Sequence, residues 1–164
     1  VRIRAAAPED VDGMTALDAL CFSAPWSRKS FASEVCEHPL ARYLVAEIVG
    51  DGPDGEGRKP RLAGYAGLWA VGEEGHITNV AVHPDCRRRH LGRLLVASLI
   101  SQTYREGLRD YTLEVRVSNL PAIRLYENFG FREAGVRKGY YEDNNEDAMI
   151  MWLTVGEPPQ PEEP

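Results

Sequence analysis

Asn79-Val80-Ala81-Val82-His83-Pro84-Asp85-Cys86-Arg87-Arg88-Arg89-His90-Leu91-Gly92-Arg93-Leu94-Leu95 joins two unlike halves of the chain. Its first part closes a β-like run over Gly75–Val82. In its second part Leu91, Leu94 and Leu95, followed by Leu99, fall at helical spacing and predict a helix to about Glu106. Between strand and helix stand Arg87, Arg88, Arg89 and Arg93. A helix N-terminus carries partial positive charge and unpaired N–H groups, so each cation there costs roughly 0.3–1 kcal/mol. A local rule broken this densely marks function. An anion seated on the helix amides and neutralised by guanidinium groups compensates, and a pyrophosphate suits both. A solvated basic loop, or a patch touching ribosomal RNA, is the alternative reading.

Working outward, Val1–Ala5 reads as a short strand, and Pro8-Glu9-Asp10 opens a helix with its apolar stripe at Val11, Met14, Leu17 and Cys21. Ser23-Ala24-Pro25-Trp26 breaks it, and Ser27 caps a second short helix that ends near His38-Pro39. Tyr43–Val49 and Leu62–Val71 are β-like, with a glycine- and proline-rich loop over Gly50–Pro60 between them. After the long helix, Tyr111, Leu113, Val115 and Val117 alternate with Thr112, Glu114 and Arg116, giving a strand with two different faces. Ser118 or Asn119 caps a further short helix that Gly130 ends. Strands follow over Phe131–Tyr141 and Ala148–Val155. The order βααβββ–αβαββ predicts one α/β (α+β) domain over residues 1–155, a mixed sheet with helices on its faces. Residues 156–164, almost all proline and acid, read as a disordered tail.

With 164 residues, 43% hydrophobic and 27% charged, the chain has the balance of a globular domain with its own core. A net charge of −6 argues against general nucleic-acid binding. No run is apolar enough to span a bilayer and no signal-peptide pattern opens the chain, so a cytoplasmic protein without membrane partner is expected. Cys21, Cys36 and Cys86 are odd in number and form no CxxC pair, the pattern of reduced thiols. His83, Cys86 and His90 lie close in sequence but match no zinc spacing, and no metal is expected.

The arginine turn resembles that of the GNAT acetyltransferases, whose signature Gln/Arg-x-x-Gly-x-Gly/Ala holds the pyrophosphate of coenzyme A. Arg87, Arg88, Arg89, Leu91 and Gly92 fit it, while His90 stands at the first glycine position. Phe22–Ser27, Asn79–Pro84, Leu113–Arg116 with Ser118-Asn119, Leu125–Phe131, Tyr140-Tyr141 and Glu146–Ala148 occur in the order found in the RimI group of that family, the ribosomal-protein-alanine N-acetyltransferases. The resemblance covers nearly the whole chain to about Leu153. It implies a mostly antiparallel central sheet flanked by about four helices. The activity it implies is transfer of an acetyl group from acetyl-CoA to a protein N-terminal α-amine, directly and in a ternary complex.

It also implies roles for residues. Glu114 matches the proton acceptor, and its strand alternation turns it away from Leu113 and Val115; a surface carboxylate paired with Arg116 is the other reading. Tyr126 matches the donor that protonates the coenzyme A sulfur, or else it is a core tyrosine sharing a face with Ile123 and Phe129. Asn119 would hold the pantetheine arm, or only cap its helix. Val80, Ala81 and Val82 would offer backbone groups to that arm, the Val82 amide serving as oxyanion donor, and Arg87–Arg93, with His90, Leu91 and Gly92, would seat the pyrophosphate. Pro25 and Trp26 would meet the acceptor on one side and Tyr140 and Tyr141 on the other, Trp26 being equally readable as a staple of the helix corner. Acetylation of lysine side chains or small amines, a coenzyme-binding module without turnover, and a docking subunit of tRNA-modifying machinery are the competing readings.

Overall fold

The computed structural model describes residues 1–50 and 59–156. The loop expected over Gly50–Pro60 and the acidic tail fall largely outside the described residues. Seven strands, β1 (Arg2–Ala5), β2 (Ala41–Ile48), β3 (Arg61–Val71), β4 (Glu74–Val82), β5 (Asp110–Arg116), β6 (Arg132–Tyr141) and β7 (Glu146–Thr154), form one sheet in the order β1-β2-β3-β4-β5-β7-β6. Every pairing is antiparallel except β4 with β5. Four helices complete the fold: α1 (Val11–Cys21), α2 (Arg28–Ala32, continued by a wider turn over Ser33–Glu37), α3 (Leu91–Arg105) and α4 (Leu120–Asn128). The expected element order and fold class are both found.

Two cores lie on opposite faces of the sheet. Helices α1 and α2 bring Val11, Met14, Leu17 and Phe31 against Tyr43, Val45, Tyr65 and Ala81. On the other face Leu95, Val96 and Leu99 of α3 and Ile123 and Tyr126 of α4 cover Leu44, Ala66, Leu68, Ile77, Leu113 and Val115. The strand alternation works as expected on β5, where Tyr111, Leu113 and Val115 are buried. The leucine pattern of α3 needs one correction. Leu94 is 45% exposed, and the buried stripe runs through Leu91, Leu95, Leu99 and Thr103, because only one narrow side of α3 meets the sheet.

Local chemistry sets the boundaries. Ser27 Oγ accepts from Ser30 N (3.1 Å) to start α2, and Asn119 rather than Ser118 caps α4, its Oδ1 accepting from Ala122 N (3.3 Å). Gly130, at φ +97°, ends α4 in the left-handed region that favours glycine.

Two features of β4 create the site. Gly67 and Leu68 of β3 face Asn79 and Ile77, so Thr78 is an extra residue and bulges. A Cβ at Gly67 would lie 2.2 Å from the Tyr43 ring, so glycine lets Tyr43 cross β3 and bring its hydroxyl to Thr78 Oγ1 (3.1 Å). The parallel pairing with β5 covers only Glu74↔Asp110, Gly75↔Tyr111 and His76↔Thr112. Beyond His76 the two strands part, and a gap opens in the middle of the sheet.

Candidate active site

The gap leads into a cleft of about 650 Å³. Phe22, Ser23, Ala24 and Trp26 of the α1–α2 loop line one wall, and Tyr140 and Tyr141 of β6 line another. Its floor is Asn79 and Val80 of β4, Glu114 of β5, and Asn119 and Tyr126 of α4. The structure thus brings Glu114, Tyr126, Asn119, Val80, Trp26, Tyr140 and Tyr141 together from five different elements. Pro25 does not line the cleft, whereas its neighbours Ala24 and Trp26 do.

Glu114 is the carboxylate at the bottom. Its side chain is 12% exposed, and Oε2 lies 2.6 Å from His76 Nε2 while Oε1 is 3.6 Å from Arg137 Nε. The alternative pairing with Arg116 does not form. Arg116 instead holds the β6–β7 turn, donating to both Asp143 oxygens (2.9 and 2.8 Å), Asn144 (3.0 Å) and Glu146 (3.3 Å), with its guanidinium 3.9 Å from the Tyr141 ring centroid. The hydrogen bond to His76 holds the Glu114 carboxyl below the usual carboxylate range, and the same bond raises His76 above the ordinary histidine value. The pair is therefore an imidazolium–carboxylate at mildly acidic pH.

Tyr126 is a wall of the cleft and a core residue at once. It is 7% exposed, packs edge-on against Phe131 at 5.7 Å, and burial pushes its phenol well above the tyrosine range. It therefore remains a proton donor at neutral pH. Burial likewise pushes Tyr141 up to about 12. Trp26 tilts against Phe31 at 5.5 Å, so its staple role and its place in the cleft wall coexist.

At the other end of the gap, the turn from β4 into α3 carries the arginines. Arg88 (φ +63°) and His90 (φ +58°) are both left-handed, and His90 is the N-cap of α3. A residue with a Cβ pays roughly 1–2 kcal/mol to sit there, which glycine avoids. Left-handed residues alternating with their neighbours just ahead of a helix N-terminus are the backbone pattern that can turn successive N–H groups toward one anion. Among the described residues, Arg87, Arg88, Arg89 and Arg93 have no acidic partner within ion-pair distance.

A strand–turn–helix rich in arginine, a sheet split beside it, and a carboxylate and tyrosine in the cleft the split leads to agree with what comparison shows. Residues 11–131 match the acetyltransferase (GNAT) family. The chain belongs to the GNAT family of acetyltransferases. It is 43% identical over 149 residues to a Bacillus subtilis (strain 168) protein provisionally named a [ribosomal protein bS18]-alanine N-acetyltransferase, covering 91% of this chain and 92% of the relative. It is 41% identical over 133 residues to the [ribosomal protein bS18]-alanine N-acetyltransferase of Escherichia coli (strain K12), covering 80% and 82%. The crystal structure of the Escherichia coli ribosomal-protein-S18-alanine N-acetyltransferase superposes with a TM-score of 0.79 at 34% identity, covering 97% and 96%. The protein is therefore an acetyl-CoA-dependent N-acetyltransferase of GNAT architecture.

Within that GNAT frame, the backbone of β4 divides by alternation. His83 N donates to Ala63 O (2.7 Å), which makes Ala81↔Tyr65 the next hydrogen-bonded pair of the antiparallel ladder. By this alternation Ala81 directs its backbone groups to β3. Val80 and Val82 turn theirs toward the gap. His83 and Cys86 have structural work: His83 Nδ1 accepts from Asp85 N (3.1 Å), and Cys86 is buried against Ala63 and Leu91. Among the described residues no group of three His, Cys, Asp or Glu side chains is placed to hold a metal ion, and no helix is long and apolar enough to cross a membrane.

Two site residues escaped the sequence reading. His76 is brought to Glu114 only by the parallel β4–β5 register. Asp18 is 2% exposed at the cleft's inner edge and accepts hydrogen bonds from Trp26 N (2.7 Å) and the Tyr65 hydroxyl. A charged residue one position after Leu17, inside a stripe otherwise apolar, was the signal available for it.

Proposed function

We propose that this enzyme acetylates the N-terminal α-amine of a protein, a ribosomal protein beginning with alanine, as its bS18-modifying relatives are named for doing. The single observation that carries this reading is the open cleft between the α1–α2 loop and β6, which leads from solvent to Glu114 and is walled by Trp26, Tyr140 and Tyr141. Its volume of about 650 Å³ leaves room for the first residues of a peptide beside Glu114. The aromatic wall suits a small apolar first side chain.

Acetyl-CoA supplies the acetyl thioester. In this reading its pyrophosphate rests on the Arg87–Arg93 turn with Arg88, Arg89, His90, Leu91 and Gly92, and its pantetheine arm lies in the gap against Val80, Val82 and Asn119. The Val82 N–H, turned toward the gap, is the donor for the tetrahedral oxyanion. A water passes the amine proton to Glu114, which is backed by His76. The hydrogen bond to Glu114 raises His76 above the ordinary histidine value while Glu114 is held below the usual carboxylate range, so the imidazole, once neutral, is the stronger base of the pair and the better final proton acceptor. As the intermediate collapses, Tyr126 protonates the departing thiolate. The acetyl group moves directly from sulfur to nitrogen.

The test is acetyl transfer to a panel of N-terminal peptides, internal-lysine peptides and polyamines, with mass spectrometry locating the product. Alanine-initiated peptides should be modified on the α-amine, with kcat/KM at least about tenfold above lysine side chains, whose pKa near 10.4 leaves them protonated. Acetyl found only on internal lysines would overturn the reading.

A further inference from the structure

We propose that Asp18 is a positioning residue for acceptor binding, its carboxylate locking the α1–α2 loop that carries Trp26 to the bulged segment of β4. The inference rests on the cleft being the acceptor site, and it concerns how that site is held in shape.

Asp18 lies on the buried side of α1 with Val11, Met14 and Leu17. A carboxylate in that stripe is a costly choice unless its oxygens are hydrogen-bonded, and an apolar side chain would serve the core better. Both oxygens are used, and in different directions. Oδ2 accepts from the backbone N–H of Trp26 (2.7 Å), while the Asp18 carbonyl accepts from Phe22 N (2.9 Å). One residue thus ties both ends of the loop from Phe22 to Trp26. Oδ1 accepts from the hydroxyl of Tyr65, a wholly buried residue of β3. Tyr65 in turn accepts from Asn79 Nδ2 (2.9 Å), and Asn79 Oδ1 accepts from Thr78 Oγ1 (3.0 Å) and from the Tyr43 hydroxyl (3.3 Å). The chain of bonds ends on the bulge, beside Val80 and the gap.

The polarity of this chain has one consistent direction. Trp26 donates to Oδ2 and Tyr65 to Oδ1, so both ends of the Asp18 side chain must accept, which a carboxylate does and an amide, with one accepting and one donating end, does not. The loop's other tie across the cleft, Ser23 Oγ to Asp143 Oδ2 (2.5 Å), is exposed and open to competition from water. Asp18 is therefore the buried anchor of an otherwise irregular segment. Moving Trp26 changes the acceptor wall, whereas the arginine turn belongs to a different connection and meets this region at the end of α1, where Arg87 Nη2 lies 3.8 Å from Cys21 Sγ.

The test combines kinetics with a local probe. Asp18→Asn places a donor opposite the Tyr65 hydroxyl. It should raise KM for an alanine-initiated peptide about tenfold, the worth of one lost charge-assisted bond, with the Kd for acetyl-CoA held within about twofold. Tyr65→Phe spares the Trp26 bond and should raise that KM less, and the double variant should fall short of the product of the two single effects. In a Trp69→Phe/Trp152→Phe background, which leaves Trp26 as the sole tryptophan, Asp18→Asn should roughly double acrylamide quenching of Trp26, and Tyr65→Phe should not. A peptide KM unchanged in Asp18→Asn, or unchanged quenching, overturns the assignment and leaves Asp18 a core group affecting only folding. If the wild-type chain acetylates no peptide α-amine, the acceptor reading falls, and the quenching ratio alone decides whether Asp18 holds the loop.

Discussion

At one end of the β4–β5 gap, the proposed anion seat comes from consecutive residues, Arg87–Arg93, and its shape is the φ sequence of one turn. At the other end, Glu114, His76, Tyr126, Trp26 and Tyr140 arrive from β5, β4, α4, the α1–α2 loop and β6. The first is a backbone device with charges added. The second exists only because a bulge and a three-residue parallel pairing hold the sheet open at one place. Damage to the first should be felt as coenzyme affinity, and damage to the second as rate and pH dependence.

The assembled end carries the largest expected effect. Glu114→Gln keeps the size of the side chain but removes the charge, and kcat should fall by about 10²–10⁴ with the Kd of acetyl-CoA unchanged. His76→Gln should cost less, and its signature is the pH profile. In the folded protein His76 holds its proton to higher pH than an ordinary histidine, so the pair stabilises the fold fully below about 6.5 and less as pH rises through the raised value. The imidazole can take up the amine proton only once it is neutral. Activity should therefore rise over the same interval in which this part of the stability is lost. His76→Gln should flatten both the rate limb and the slope of melting temperature above pH 6.5. An unchanged rate limb would remove His76 from the proton path.

The contiguous end should answer in binding. Arg88→Ala with Arg93→Ala removes two cations from the seat and should weaken acetyl-CoA binding by about ten- to a hundredfold, with a shallower salt dependence because fewer charges are engaged. Calorimetry at two ionic strengths measures both, and unchanged affinity would break the comparison at its root.

The smallest effect is expected at His90. At φ +58° it pays for a conformation glycine adopts freely, so His90→Gly should stabilise the fold by up to about 1 kcal/mol after the greater freedom of the unfolded glycine is deducted. Coenzyme affinity should be unchanged or slightly better. Urea unfolding measures the first and calorimetry the second, and a large loss of affinity would show that the imidazole makes a contact of its own.

The element order, the arginine turn ahead of α3 and the cleft-facing side of Glu114 were readable in the residues because each depends on neighbours close in sequence: a leucine spacing, a strand-to-helix break, a strand alternation. Leu94 shows where that reasoning stops, since helical spacing names a possible apolar stripe and the sheet decides how wide it is. Likewise Val80, Ala81 and Val82 look alike as a run, and only the pairing of His83 with Ala63 shows which of them face the gap. His76, Tyr65 and Glu146, which pair with Glu114, Asp18 and Arg116, lie 38, 47 and 30 positions away in the chain. Nothing local selects them. Register and bulge bring them together, and these follow from the burial of both sheet faces at once, a condition that the tertiary structure alone satisfies.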